Sequence, residues 1–268
     1  MPPLITLTTD FGLRDPFVGI MKGVLLSICP SARLVDLTHE IEPQDVLGGA
    51  LALEAALPFF PAGTVHLAVV DPGVGSARRA IAIRAGGCYL VGPDNGLVTP
   101  ALEGAGWTAV SLTAPEYRRP PEHRRLEVSR TFHGRDVFAP AAAYLAAGIP
   151  IERLGPAVAD PKRLDLPGCH LEGPELVGQV LDADRFGNLI TSIPAARLRE
   201  IPGHGPLALE VAGRAVSGPV DAYADGDEGT PTAIVGSTGR VEIFVKAGNA
   251  RSQLGAGRGA VVRMMRSR

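Results

Sequence analysis

TVHLAVVDPGVGSARR, residues 64–79, reads as a strand driven into a tight turn. Thr64 to Val70 is apolar and β-branched, and Asp71-Pro72-Gly73 stops it. Gly73 and Gly75 let the backbone come close to a ligand at little steric cost, and Arg78 and Arg79 follow. Asp71 and Arg78 have two readings here, a brace for the turn or part of a site. No lysine follows the glycines, so this is not a phosphate-binding P-loop.

Working outward from this stretch, strand-like and helix-like segments alternate. Leu4 to Thr8 is a short strand ending at Asp10-Phe11-Gly12, and Phe17 to Ile28 places Val18, Met21, Leu25 and Ile28 on one helical face. Arg33 to Leu37 is a second strand and Gln44 to Leu57 an Ala/Leu-rich helix halted by Pro58. Ala80 to Arg84 and Cys88 to Val91 are further strands, and Val137 to Ala147 a short helix ended by Gly148 and Pro150. This order predicts an α/β domain with a largely parallel central sheet over residues 1–160. Pro156, Pro161, Pro167 and Pro174, mixed with Gly and charges, then read as a linker. Residues 170–268 carry short β-like runs between Gly-rich turns, which predicts a small all-β, barrel-like domain.

Composition narrows the function. Twenty-six basic against 28 acidic residues leave a formal charge of −2, which gives no global electrostatic reason to bind nucleic acid. Cys29, Cys88 and Cys169 are far apart and odd in number, neither a disulfide framework nor a zinc spacing. No apolar run approaches the ~20 residues of a membrane span, and MPPLITLTTDFG has no signal-peptide pattern. The expectation is a soluble cytoplasmic protein with no metal.

Five further motifs carry chemistry-bearing side chains. TTDFG (8–12) puts Asp10 at the carboxyl end of the first strand, where ligands lie in open α/β sheets. GPDNG (92–96) is turn material, and TFHGRD (131–136) sets His133 beside a glycine at a helix start. DRFGN (184–188) and the STGR…GNA pair (237–240, 248–250) occupy loops of the β domain. DFG and HGRD echo protein-kinase signatures, but their order is reversed and no Gly-rich loop with its lysine is present.

Taken together and in order, these motifs resemble the SAM hydroxide adenosyltransferase family, the adenosine-forming (R)-S-adenosyl-L-methionine (SAM) hydrolases related to the SAM-dependent fluorinase and chlorinase. The resemblance implies a catalytic set of Asp71, Arg78 and His133 and an attack of water at C5′ of SAM that releases adenosine and methionine. It implies ribose contacts from Asp10, with Asp15 near the methionine amine and Asn95 among the substrate-binding residues. Phe186 and Asn188 would meet the adenine end, Asp184 and Ser237 the methionine end, and Ala250 the adenine through its backbone. SAM is then the substrate and no cofactor is needed. The resemblance also implies a homotrimer, with each site between the amino domain of one subunit and the carboxyl domain of the next. A SAM halogenase is the rival, and a silent nucleoside- or SAM-binding protein the second. Against the halogenase, TFHG stands where fluorinases have TFYS, and Gly63 in PFFPAGT falls near a threonine that contacts halide. Thr238 stands where the family places an arginine for the methionine carboxylate, with Arg240 two residues on. The proton acceptor is left open between Asp71 and His133.

Overall fold

The computed structural model describes residues 2–104, 106–118 and 127–267. It divides into two compact units, Met1–Leu164 and Asp165–Arg268.

The amino unit is built on a six-stranded sheet in the order β2-β1-β3-β5-β4-β6. Strands β1 (Leu4–Thr9), β2 (Arg33–Thr38), β3 (Val65–Val69) and β5 (Cys88–Pro93) run parallel. The strands β4 (Ala80–Ala85) and β6 (Thr108–Ser111) are antiparallel to their neighbours. Helix α1 (Phe17–Ile28) presents Met21, Val24 and Leu25 to Ile5, Leu7 and Leu67 on one face, together with α3 (Ala139–Ala146). On the other face Leu53 of α2 (Val46–Ala56) meets Ala68, Val70, Ile81 and Leu90. Each such fully buried Leu or Ile is worth roughly 1.5–3 kcal/mol. The central strands are covered on both sides, which explains why β3 is buried at every position, His66 included. Asp45 caps α2, its carboxylate accepting from the Gly48 N–H at 3.0 Å.

Two expectations need adjustment here. The helix read over 137–147 is α3 alone, preceded by a wider π-helical turn over Gly134–Phe138. Pro140 has no N–H for an i→i−4 bond and its ring crowds that carbonyl, so the turn before it opens. The proline-rich segment is also less of a linker than its composition suggests. Its first half lies on the amino unit, with Ser111 N–H donating to Pro156 O and Leu164 N–H to Thr99 Oγ1, both 2.8 Å.

In the carboxyl unit the order β14-β10-β11-β12-β13-β9-β8 closes through a β14–β8 pairing into a barrel, with β7 (His170–Glu172) beside β8. The barrel strands are β8 (Glu175–Ala183), β9 (Leu189–Pro194), β10 (Leu207–Val211), β11 (Arg214–Val220), β12 (Pro231–Val235), β13 (Arg240–Val245) and β14 (Val261–Arg266). Leu176, Leu189, Val241, Ile243, Val262 and Met264 fill its interior. A short helix α4 (Ala250–Leu254), not expected from the sequence, follows β13 and is capped by Asn249. Among the described residues no helix is long and apolar enough to cross a membrane.

Candidate active site

The chain goes from β1 out to β2 and returns to β3 on the other side of β1, so the switch point of the sheet lies between β1 and β3. Ligands of open α/β sheets bind beyond the carboxyl ends of the strands at that crevice. Thr9 pairs with Val69, so Asp10, one residue on, and Asp71, two residues on, leave the carboxyl ends of adjacent strands about 4.8 Å apart.

Asp71 is not alone. Arg78 donates from Nε to Asp71 Oδ1 at 2.8 Å and from Nη2 to Oδ2, a two-pronged ion pair. Both side chains are buried, at 5% and 7% exposure, so the pair is shielded from solvent. The same Nη2 lies 2.8 Å from His133 Nδ1. A guanidinium can only donate, so Nδ1 is the acceptor and the neutral ring carries its proton on Nε2. Burial, reinforced by the Arg78 charge, holds His133 below its ordinary value and keeps the imidazole neutral.

The turn glycines make this cluster possible, though not in the way their sequence suggests. Gly75 sits at φ +76°, and a Cβ there would fall 2.3 Å from the Arg130 carbonyl oxygen. What approaches it is therefore the segment leading to His133, not a ligand. Arg79 points elsewhere, to Asp94 (2.6 Å) and Asp160 (2.7 Å), while Asp94 also accepts from Lys162 N–H at 2.7 Å. In GPDNG, Asn95 donates to Val70 O at 2.8 Å and accepts from Leu97 N–H at 3.1 Å, so its side chain ties down the residue before Asp71.

Asp10 opens on a cleft of about 250 Å³ with His39, Glu40 and Glu42, its Oδ2 accepting from Gln44 N–H at 2.8 Å. Those three neighbours were not singled out from the sequence; their signal is their place just past β2, on the same sheet edge. Asp15 is exposed in the turn before α1. Gly63 precedes β3 and so lies at the opposite edge from Asp71, which removes it as a halide-contacting position. Gly134 does border the cluster, and a Cβ there would meet Met21 Sδ at 3.0 Å.

The carboxyl unit holds a separate group. Asp184 Oδ1 accepts from the N–H groups of Phe186 and Asn188, and Oδ2 from Asn188 Nδ2, all at 2.9 Å. This leaves Phe186 76% exposed beside a cleft of about 580 Å³. Asp184 and Asn188 line that cleft with Tyr223, Phe244 and Lys246, which sequence reading missed. The two aromatics pack edge to face at 4.8 Å, and Tyr223 donates to buried Glu242 at 3.1 Å. Burial, with the Glu242 charge, pushes the Tyr223 hydroxyl up to about 12, and burial raises Glu242 as well. The GNA turn packs on DRFGN, with Arg251 N–H donating to Gly187 O at 2.9 Å. Ala250 is buried beneath that turn, and Ser237 lies exposed between β12 and β13. Among the described residues no group of His, Cys, Asp or Glu side chains is gathered as metal ligands.

A carboxylate, guanidinium and imidazole joined at the switch point of an α/β sheet, followed by a small barrel, define an enzyme rather than a scaffold. The SAM hydroxide adenosyltransferase amino-terminal domain model matches residues 5–155 and its carboxyl-terminal counterpart residues 178–263. A Thermus thermophilus (R)-S-adenosyl-L-methionine hydrolase is 44% identical over 99% of this chain and 100% of its own. A Salinispora tropica protein of the same name is 42% identical over 94% of each chain. A Nocardia brasiliensis fluorinase is more distant, 32% identical over 74% of each. A crystal structure of an uncharacterized conserved protein from Thermotoga maritima superposes with a TM-score of 0.90 at 34% identity, covering 98% of this chain and all of that one. The chain belongs to the SAM hydroxide adenosyltransferase family.

Proposed function

We propose that this protein hydrolyses S-adenosyl-L-methionine, as the (R)-sulfonium epimer, to adenosine and L-methionine by attack of water at C5′. The observation that carries the reading is the buried Asp71–Arg78–His133 cluster at the switch point of the sheet. The curated hydrolases, 40–44% identical to this chain, support the substrate.

The chemistry needs little machinery. Sulfonium sulfur takes the C5′–S electron pair and departs neutral, so no general acid is required. The new C5′–O bond needs a water held in line, and alignment alone is worth several kcal/mol. The water proton passes to Asp71 and then to solvent, while the Arg78 charge stabilises the hydroxide character that develops. His133 serves as a donor from Nε2, since its Nδ1 already accepts from Arg78. In this reading Asp71 takes the acceptor role. Asp10 holds the ribose hydroxyls, Asp15 the methionine amine and Asn95 the strand end beside them. Phe186, Asn188 and the Ala250 backbone hold adenine, with Asp184 and Ser237 toward methionine. The enzyme works without metal or cofactor, in the cytoplasm, as a homotrimer whose sites lie between one subunit's amino unit and its neighbour's carboxyl unit.

Incubation with each SAM epimer, with and without EDTA, followed by chromatography, tests this. Adenosine and methionine should form from the (R) epimer, undiminished by chelator. In chloride-rich buffer, 5′-chloro-adenosine at a rate rivalling adenosine would overturn the hydrolase reading, and absence of any product would overturn the enzymatic one. Light scattering should give the mass of three chains.

A further inference from the structure

Beside the cluster lies a third cavity, of about 320 Å³. Arg78 and His133 form one wall of it, but Asp71 is absent from its lining. The opposite wall brings Arg118, Ser111 and Thr113 from the end of β6 and the turn after it. Arg118 is half-buried, and its Nε and Nη2 both donate to the carbonyl of Leu112, at 3.1 and 2.7 Å. A guanidinium has five N–H groups, and among the described residues none accepts from Nη1 or from the second N–H on Nη2.

The contrast with its neighbours is one of charge. Arg78 is matched by Asp71, and Arg79 by Asp94 and Asp160. Among the described residues Arg118 has no carboxylate partner. Burial holds it below its ordinary value, as for a cation with no compensating charge. A partly desolvated cation facing a cavity lined by Ser76, Ser111 and Thr113 is the reverse of the usual arrangement, in which buried charge is paired.

We propose that this cavity is a binding site for a small monovalent inorganic anion, of the halide or nitrate class, held by Arg118 with the Ser111 and Thr113 hydroxyls. A guanidinium and hydroxyls are weakly selective donors, so size and single charge set the preference. The bound anion sits against Arg78 and His133 and subtracts from the positive potential that a hydroxide-like nucleophile needs. It therefore slows turnover without competing for the ribose, because Asp10 does not line this cavity.

Bromide is the probe. Crystals of the full chain soaked in sodium bromide should show an anomalous peak within hydrogen-bond reach of the Arg118 guanidinium. In solution, sodium bromide near ten times its dissociation constant should raise Tm by about 2–4 °C over sodium gluconate of equal ionic strength. Arg118→Gln should lose both signals and Arg118→Lys should keep part of the Tm rise. No peak at Arg118 in the wild-type crystals overturns the site, as does an equal bromide response in Arg118→Gln. Neither readout depends on SAM turnover, so the anion site and the hydrolase reading can fail separately.

Discussion

Asp71 and Asp184 are both loop aspartates, and the two units employ them differently. In the amino unit Asp71 gives both oxygens to another side chain, Arg78, which in turn reaches His133. In the carboxyl unit Asp184 gives its oxygens to the backbone of its own turn and to Asn188. The first arrangement holds charges that can respond when a proton moves. The second fixes the shape of a cleft walled by Phe186, Tyr223 and Phe244. The Asp71 cluster is therefore expected to govern rate and the Asp184 turn affinity.

The largest effect should come from breaking the charge cluster. Asp71→Asn and Arg78→Ala should each lower kcat by 10²-fold or more, within the ~10²–10⁴ range of acid–base and electrostatic contributions. The double variant should be barely worse than the worse single, because the two act as one unit. Adenosine affinity should stay within a few-fold of wild type. If the pair only braces the turn, Tm and affinity should fall together instead, so kcat, Kd and Tm measured on the same four proteins separate the accounts.

Acid should separate the units next. His66 on β3 is fully buried with Nδ1 2.8 Å from Thr6 Oγ1, and burial lowers it to about 4. Above pH 6.5 the ring is neutral whether folded or unfolded, and stability is full. As pH falls from 6.5 toward 4 the unfolded chain binds a proton that the folded one refuses, so the amino unit loses up to about 3 kcal/mol. Glu242 in the carboxyl unit has the opposite sign: its raised value favours the folded state on acidification. Trp107, the single tryptophan, packs on the amino core and reports that unit alone. Its fluorescence in urea should show a midpoint that drops between pH 7 and pH 4.5, and His66→Leu should flatten the drop. A wild-type midpoint unchanged across that range would refute the assignment.

How far these features were legible in the sequence follows the same division. Strand–helix alternation and the edge positions of Asp10 and Asp71 could be read directly, because a doubly wound sheet imposes strand length, helical period and loop position together. The Asp71–Arg78 contact is seven residues long and closed by one turn, so spacing hinted at it. His133 lies 55 residues from Arg78, and only the family resemblance pointed to it. Tyr223, Phe244 and Lys246 were not legible, since a closed barrel brings strand ends together with no local signal. Gly63 was misplaced for a related reason: it is near Asp71 in number, but β3 separates them by its full length.

Phe186→Ala tests the other half of the comparison. The ring is 76% exposed, so its removal takes little from the barrel core. Base–aromatic stacking is worth about 1–3 kcal/mol, so KM should rise about 10-fold with kcat within a factor of about three. A loss confined to kcat would show that the carboxyl unit acts on the chemical step and would break the division.

The smallest effect probes whether the carboxyl cleft is held by its turns. Asn249 Oδ1 accepts from Ser252 N–H at 2.8 Å and caps α4, while its side chain also lies against Gly187 of DRFGN. A Cβ on Gly187, at φ +84°, would fall 2.1–2.3 Å from the Asn249 amide atoms, so the two turns meet closely there. Asn249→Ala removes the cap, at a cost of about 1 kcal/mol, and leaves a gap under the turn that carries Phe186. We expect a carboxyl-unit melting loss of about 2–4 °C and a KM increase of two- to threefold. Turnover at saturating substrate should stay unchanged, because this turn carries none of the Asp71, Arg78 and His133 groups. Asn249→Asp keeps the capping oxygen and should recover the melting temperature. If Asn249→Ala lowers kcat as far as Asp71→Asn does, the two units do not divide rate from affinity, and the shape of the cleft is itself part of the chemical step.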